Sequence, residues 1–197
     1  MSLLFESIRV EDGDFRLLDL HEERMNASRN ALLGLDDPIS LSGIGIPEQY
    51  RNGRIRCRVE YGAVIERVTF ETYVVALPER FRLIVDNDIN YYHKYSDRSR
   101  LLALMESAKP DGIIIVRNGF VTDAFHANLA FFDGARWFTP DTPLLKGRMR
   151  EHLLKTEQLS LATITPSDLS HYTSFKLINA MLGFEESHEF GMDRIIA

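Results

Sequence analysis

Eighteen arginines stand against five lysines in this chain, and none of the five lysines falls in the first 93 residues. Lys94, in NYYHKYSDR, lies between aromatic and polar neighbours. A lysine in a partly desolvated cleft loses proton affinity, which is what a Schiff-base amine requires. The ordinary alternative is a surface lysine, and the other four fit it. Lys109 closes a helical segment, Lys155 belongs to an amphipathic one, Lys176 alternates with Phe175 and Leu177, and Lys146 precedes a glycine. Arg24 shares a predicted helix face with Leu20, Ala27 and Ala31, with His21 beside it. A cation among apolar neighbours needs an anion there, either an internal carboxylate or a bound phosphate. A third group, GFVTDAFHAN, sets the carboxylate of Asp123 and the amide of Asn128 after an apolar run. The six histidines show no metal-ligand spacing, so no metal is expected, and the single Cys57 leaves no internal disulfide. Neither a G-x-S-x-G elbow, a P-loop nor a G-x-G-x-x-G fingerprint occurs.

The elements that must position these groups alternate strand and helix. FESIRVEDGDFRLLD alternates about an Asp12-Gly13 turn and predicts a hairpin. A helix is predicted from Asp19 to Leu33, with Asp19 and Glu22 at capping-box spacing and Gly34 as its stop. After a loop from Asp36 to Gln49, RIRCRVEYG and VTFETYVVAL read as two strands joined through Gly62. IVDNDINYYH has no period and reads as a link between two parts. Beyond it come a helix over Ser96 to Ala108 ending at Lys109-Pro110, and a buried strand GIIIVR that turns at Asn118-Gly119 into FVTDAF. LAFFD and ARWFT make a hairpin about Asp133-Gly134, followed by a helix from Gly147 to Glu157 and a strand LSLATI. Thr165-Pro166-Ser167-Asp168 reads as a helix start, and FKLIN as a last strand before the loop NAMLG.

Length and composition exclude other classes. The 197 residues, 45% hydrophobic and 26% charged, are those of a globular chain with a sizeable core. A net charge of −6 argues against nucleic-acid binding. No run approaches the apolar length of a membrane span, and no basic-then-apolar leader opens the chain, so no membrane partner is expected and the cytoplasm is the expected location.

Taken in order, these segments resemble the class IV aminotransferases, the fold-type IV pyridoxal-phosphate enzymes. FESIRV followed by LHEERMNAS is similar to the family's F-E-x-I-R and H-x-x-R-x-x-x-S. KYSDR resembles the cofactor-lysine segment in its lyase version. GFVTDAFHANLAFFDGARWFTP resembles G-x-V-T-E-x-x-x-x-N-L-F-x-x-x-x-G-x-x-x-T-P, and LLKGRMREHLL the L-x-G-I-x-R turn. NAMLGF is closer to the N-A-L-M loop of aminodeoxychorismate lyase than to the loops of the aminotransferases.

The resemblance implies an α+β, two-domain fold of the D-amino-acid aminotransferase type. A small α/β domain would span residues 1–84, a linker 85–93, and a larger pseudo-barrel domain 94–197. It implies pyridoxal 5'-phosphate as cofactor, lying between the domains, and a homodimer acting on a small amino-acid-like substrate. Lys94 would carry the cofactor and move the substrate's proton. Arg24 would make a bidentate phosphate contact, joined by backbone N–H groups near Gly147, Arg148 and Met149 and by the Asn179-Ala180 turn. Asp123 stands where the family has a glutamate that keeps the pyridine nitrogen protonated, aspartate being one carbon shorter, and Asn128 in the same motif would be a further cofactor contact. Glu186-Ser187 replace the family's usual Pro-Val. Arg56, Tyr61 and Tyr92 are pocket candidates by position. The reaction implied first is a lyase like aminodeoxychorismate lyase, which releases pyruvate and 4-aminobenzoate for folate biosynthesis. An aminotransferase acting on a branched-chain or D-amino acid is the alternative. A cofactor-binding protein without catalysis is a third reading, resting on Asp123 and the short frame.

Overall fold

In the computed structural model, residues 4–109 and 111–196 are described; Pro110, expected to mark a helix break, lies outside them. The chain divides into two compact units: Met1–Val75 with His93–Asp97, and Ala76–Tyr92 with Arg98–Ala197. Sequence pattern put Lys94 at the head of the second part, whereas its segment is grouped with the first. The cause is local. The Phe5 N–H donates to the Lys94 carbonyl at 3.0 Å, and Leu4 and Tyr95 form an antiparallel bridge.

Among its described residues, unit 1 is built on one sheet and one α-helix. Strands β1 (Leu4–Glu11), β2 (Asp14–Phe15), β3 (Ile55–Tyr61) and β4 (Ile65–Thr72) pair antiparallel in the order β2-β1-β3-β4. Asp12 and Gly13 both have positive φ, which the tight β1–β2 turn demands. Alternation sends Leu4, Ile8 and Val10 of β1 and Ile55, Cys57, Val59 and Tyr61 of β3 to one face, where they pack with Met25. Met25 lies on α1 (Leu18–Leu33), which stops at Gly34 in the left-handed region. The expected capping box is absent. Leu17 is the N-cap, and the Glu22 carboxylate instead accepts from Ser40 Oγ and Leu41 N–H. The buried stripe of α1 is also not the one expected: Ala27 and Ala31 are exposed, while His21, Met25, Ser28 and Arg29 are buried. Alanines gain little from burial, and the polar residues go inward because partners await them.

Unit 2 has two sheets. Strands β5 (Phe81–Val85), β6 (Gly112–Arg117) and β7 (Phe120–Ala124) belong to one, and β5 runs parallel to β6 through the crossover helix α2 (Ser99–Ala108). The supposed linker IVDNDINYYH therefore begins inside β5. Its pattern is obscure because its hydrogen bonds come from strands far along the chain, chiefly β6. The second sheet contains β8 (Asn128–Phe132), β9 (Trp137–Pro140), β10 (Ser160–Ala162), β11 (Ser174–Ile178) and β12 (Glu189–Gly191), in the order β10-β9-β8-β11-β12. Helix α3 (Arg148–Lys155) precedes β10, and β13 (Ile195–Ile196) adds to the edge of β5. FKLIN is thus not the last strand. Thr165-Pro166-Ser167-Asp168 does start a helix, a 3-10 helix (Pro166–His171) with Thr165 as its N-cap, whose N–H donates to the Asp168 carboxylate. The core is aromatic: Phe81 meets Phe175 and Phe190 edge-on at 5.2 and 5.1 Å. No helix among the described residues is long and apolar enough to cross a membrane.

Candidate active site

In unit 1 a carboxylate interrupts the apolar face of β1. Glu6 falls on the same alternation as Leu4, Ile8 and Val10, so it points at α1 and is fully buried. One turn of α1 brings His21 and Arg24 to it. His21 Nδ1 lies 2.7 Å from Glu6 Oε2, Arg24 Nε donates to Glu6 Oε1 at 2.8 Å, and Arg24 Nη2 donates to Oε2. Burial alone would raise the Glu6 carboxyl, but the Arg24 charge and the bonds from His21 and Arg24 outweigh it and hold it at about 2. Burial pushes the His21 imidazole down, against the pull of Glu6. The anion that Arg24 needed is therefore internal. Its side-on edge, two of the five guanidinium N–H groups, is turned onto Glu6, so a phosphate would have to meet the guanidinium from its other edge. The sequence reading passed over Glu6; an acid in register with three apolar core positions was the available signal.

Lys94 lies towards the other side of β1. Its Nζ stands 4.7 Å from the centre of the Phe5 ring, and the Arg58 guanidinium stands 3.8 Å from the same ring. Arg58 also donates to Glu60 at 2.9 Å. Arg56 pairs with Glu71 on this charged side, whereas Tyr61 is wholly buried in the core and cannot line a pocket. Strand alternation decides between them: position 56 points away from the core and position 61 into it.

In unit 2 the cluster is built on Asp123, at the end of β7, and Asn128, at the start of β8. Between them Ala124 and Ala127 bridge, which puts the two side chains across from each other. Asn128 Nδ2 donates to Asp123 Oδ1 at 2.6 Å and to the Leu145 carbonyl at 2.8 Å, and Asn128 Oδ1 accepts the Gly147 N–H at 3.1 Å. The Leu145 N–H donates to Asp123 Oδ2 at 2.9 Å. Burial raises Asp123 to about 6, although the donors and the more distant Arg150 charge pull the other way. Among the described residues Asp123 makes no ion pair; its donors, the Asn128 amide and backbone N–H groups, are neutral.

Gly147 is the N-cap of α3, and a Cβ there would sit 2.0 Å from Asn128 Oδ1. The helix start and the amide touch so closely that only glycine fits. The first N–H groups of α3, from Arg148 and Met149 onward, have no intrahelical acceptor, as in any helix. Arg148 is buried and its Nη2 donates to the Lys146 carbonyl at 2.7 Å, while Met149 packs against the core beside Leu153. The Asn179 carboxamide closes its own turn, accepting from Met181 and Leu182 N–H, and donates to His126 O; Ala180 is half-buried beside it. Tyr92 is exposed and stacks on Arg117.

Comparison with known proteins adds four findings. The family model described as amino-transferase class IV matches residues 82–185. An uncharacterised protein of Haemophilus influenzae (strain Rd KW20) is 36% identical over 186 residues, 91% of this chain and 98% of its own. A structure from Haemophilus somnus 129PT, provisionally named a 4-amino-4-deoxychorismate lyase, matches at 32% identity with a TM-score of 0.86, over 93% of this chain and 98% of its own. A hypothetical aminotransferase of Mycobacterium tuberculosis, with α-ketoglutarate and PMP bound, matches at 14% identity with a TM-score of 0.78, over 95% of this chain and 80% of its own. That last likeness is one of fold.

Proposed function

Because this chain belongs to the class IV aminotransferase family, whose enzymes depend on pyridoxal phosphate, we propose that it is a lyase of the 4-amino-4-deoxychorismate type, releasing pyruvate and 4-aminobenzoate. The observation that carries the cofactor reading is Asp123. A buried carboxylate held by neutral donors, with no cation paired to it among the described residues, is suited to a protonated ring nitrogen. The start of α3 suits the other end of such a ligand, since the N–H groups of a helix's first turn and the helix dipole favour a phosphate. When bound, the cofactor supplies an electron sink for the bonds at the carbon that bears the substrate's amine. The chain's own residues do the rest. Lys94 offers the amine that holds the cofactor and then carries a proton at Nζ. Asp123 keeps the proton on the ring nitrogen, and Arg24, its plane fixed by Glu6, contributes charge to the phosphate.

The choice of a lyase rests on the KYSDR and NAMLGF segments and on the likeness to the Haemophilus somnus protein. The test has two stages. Purified protein with added pyridoxal phosphate should show a visible band that borohydride fixes onto Lys94, and Lys94→Ala should lack it. Pyruvate release from aminodeoxychorismate without an amino acceptor then supports the lyase. Acceptor-dependent oxo-acid formation would make it an aminotransferase, and binding without turnover would leave only a cofactor-binding protein. We also carry forward a homodimer as the working assembly; a monomeric mass across protein concentrations would overturn it.

A further inference from the structure

Asn128 came forward as a cofactor contact, yet the structure gives its side chain another use. Both Nδ2 hydrogens are engaged, by Asp123 Oδ1 and the Leu145 carbonyl, and Oδ1 accepts the Gly147 N–H. The amide can face only one way. Exchanging its O and N would set an NH2 against the Gly147 N–H and an oxygen against both Asp123 and the Leu145 carbonyl. Its donors are exhausted and it is buried, so a ligand finds one oxygen lone pair at most. Three segments meet on this amide: the end of β7 through Asp123, the start of β8, and the loop that opens α3. Gly147 completes the fit, because the amide oxygen occupies the place a Cβ would need.

We propose that Asn128 is a positioning residue that holds two functions in one register: the carboxylate of Asp123 and the N-terminal turn of α3. The inference rests on the cofactor reading given above, with Asp123 meeting the ring nitrogen and α3 the phosphate. A single planar amide makes the spacing of those two groups rigid. A carboxylate buried without an ion pair is free to turn or to take a proton, and Asn128 with the Leu145 N–H holds both of its oxygens.

Two variants test this, each with readouts that need no turnover. Asp123 is titrated by carbon NMR in the ligand-free full chain, and affinities are measured separately for pyridoxal and for inorganic phosphate. In Asn128→Ala the carboxylate loses a charge-assisted bond, so its midpoint should rise by about one unit or more. Affinity for both probes should fall about tenfold. Asn128→Asp keeps an oxygen for the Gly147 N–H but loses the donors to Asp123 and to the Leu145 carbonyl. Two carboxylates then share the site, so the titration should split into two steps and pyridoxal affinity should fall. Phosphate affinity should fall less than pyridoxal affinity, because the Gly147 contact survives although the bond to the Leu145 carbonyl is lost. A structural lesion alone would lower the unfolding temperature and move both probes together. The proposal is overturned if Asn128→Ala leaves the Asp123 titration where it is in the wild type, or if Asn128→Asp weakens both probes equally. Failure of the wild type to bind pyridoxal phosphate would instead sink the cofactor reading, and the ligand-free titration would still decide whether Asn128 positions the acid.

Discussion

Replacing Glu6 by glutamine tests the polar heart of unit 1 most directly. The carboxyl is fully buried and held at about 2, against 4.5 for an ordinary glutamate. A lowered folded-state value means stabilisation that is complete above the unfolded value and is lost as pH falls through the folded one. Two and a half units at roughly 1.4 kcal/mol each give about 3 kcal/mol. Glutamine keeps the shape but removes the charge, and takes the Glu6 carboxylate away from the Arg24 guanidinium, which is 10% exposed. Breaking a buried pair from one side costs about 3–5 kcal/mol. In a chain of this size that is an unfolding temperature lower by about 10 °C. Urea unfolding followed by circular dichroism at steps from pH 7 to pH 3 measures both effects. The variant should be less stable by at least about 3 kcal/mol at pH 7, and the gap should narrow by about 2 kcal/mol between pH 4.5 and 3 as the wild type alone loses its advantage. A gap below about 1 kcal/mol at pH 7, or one that does not change with pH, would refute the reasoning.

Asp123 should behave in the opposite sense. Its value is raised to about 6, so its contribution is complete below about pH 4 and is lost as pH rises through 6, a span of about 3 kcal/mol. Asp123→Asn should remove that slope in the same unfolding series, and a persisting slope would assign it to another group. Gly147→Ala should cost about 2–4 kcal/mol because its Cβ drives into Asn128 Oδ1, whereas Gly34→Ala, at φ +67 with open space around it, should cost about 1 kcal/mol. Equal unfolding temperatures for the two variants would deny the close approach. Cys57 is buried and its thiol is pushed up to about 12 by that burial, so it should resist a disulfide reagent until the chain unfolds. Rapid labelling of the native protein would contradict its placement in the core.

The sequence alone determined what backbone sterics and side-chain period control. Asp12-Gly13 and Asn118-Gly119 turn because those residues tolerate positive φ, α1 stops at Gly34 for the same reason, and GIIIVR is buried because it has no polar face to show. The α+β class and the family likeness were also legible, since motif order survives in one dimension. Only the tertiary structure decided which polar groups meet. Glu6 finds Arg24 through strand register set against a helix 18 residues away, and Ala27 and Ala31 could be exposed only once that pairing had turned α1 inward on its polar side. Strand β5 gains its hydrogen bonds from β6, beyond a whole helix, so its own residues carried little sign of it. Asn128 reads in sequence as one polar residue after a turn. Two of its three bonds depend on a loop nearly twenty residues further on, where a glycine leaves room for its oxygen.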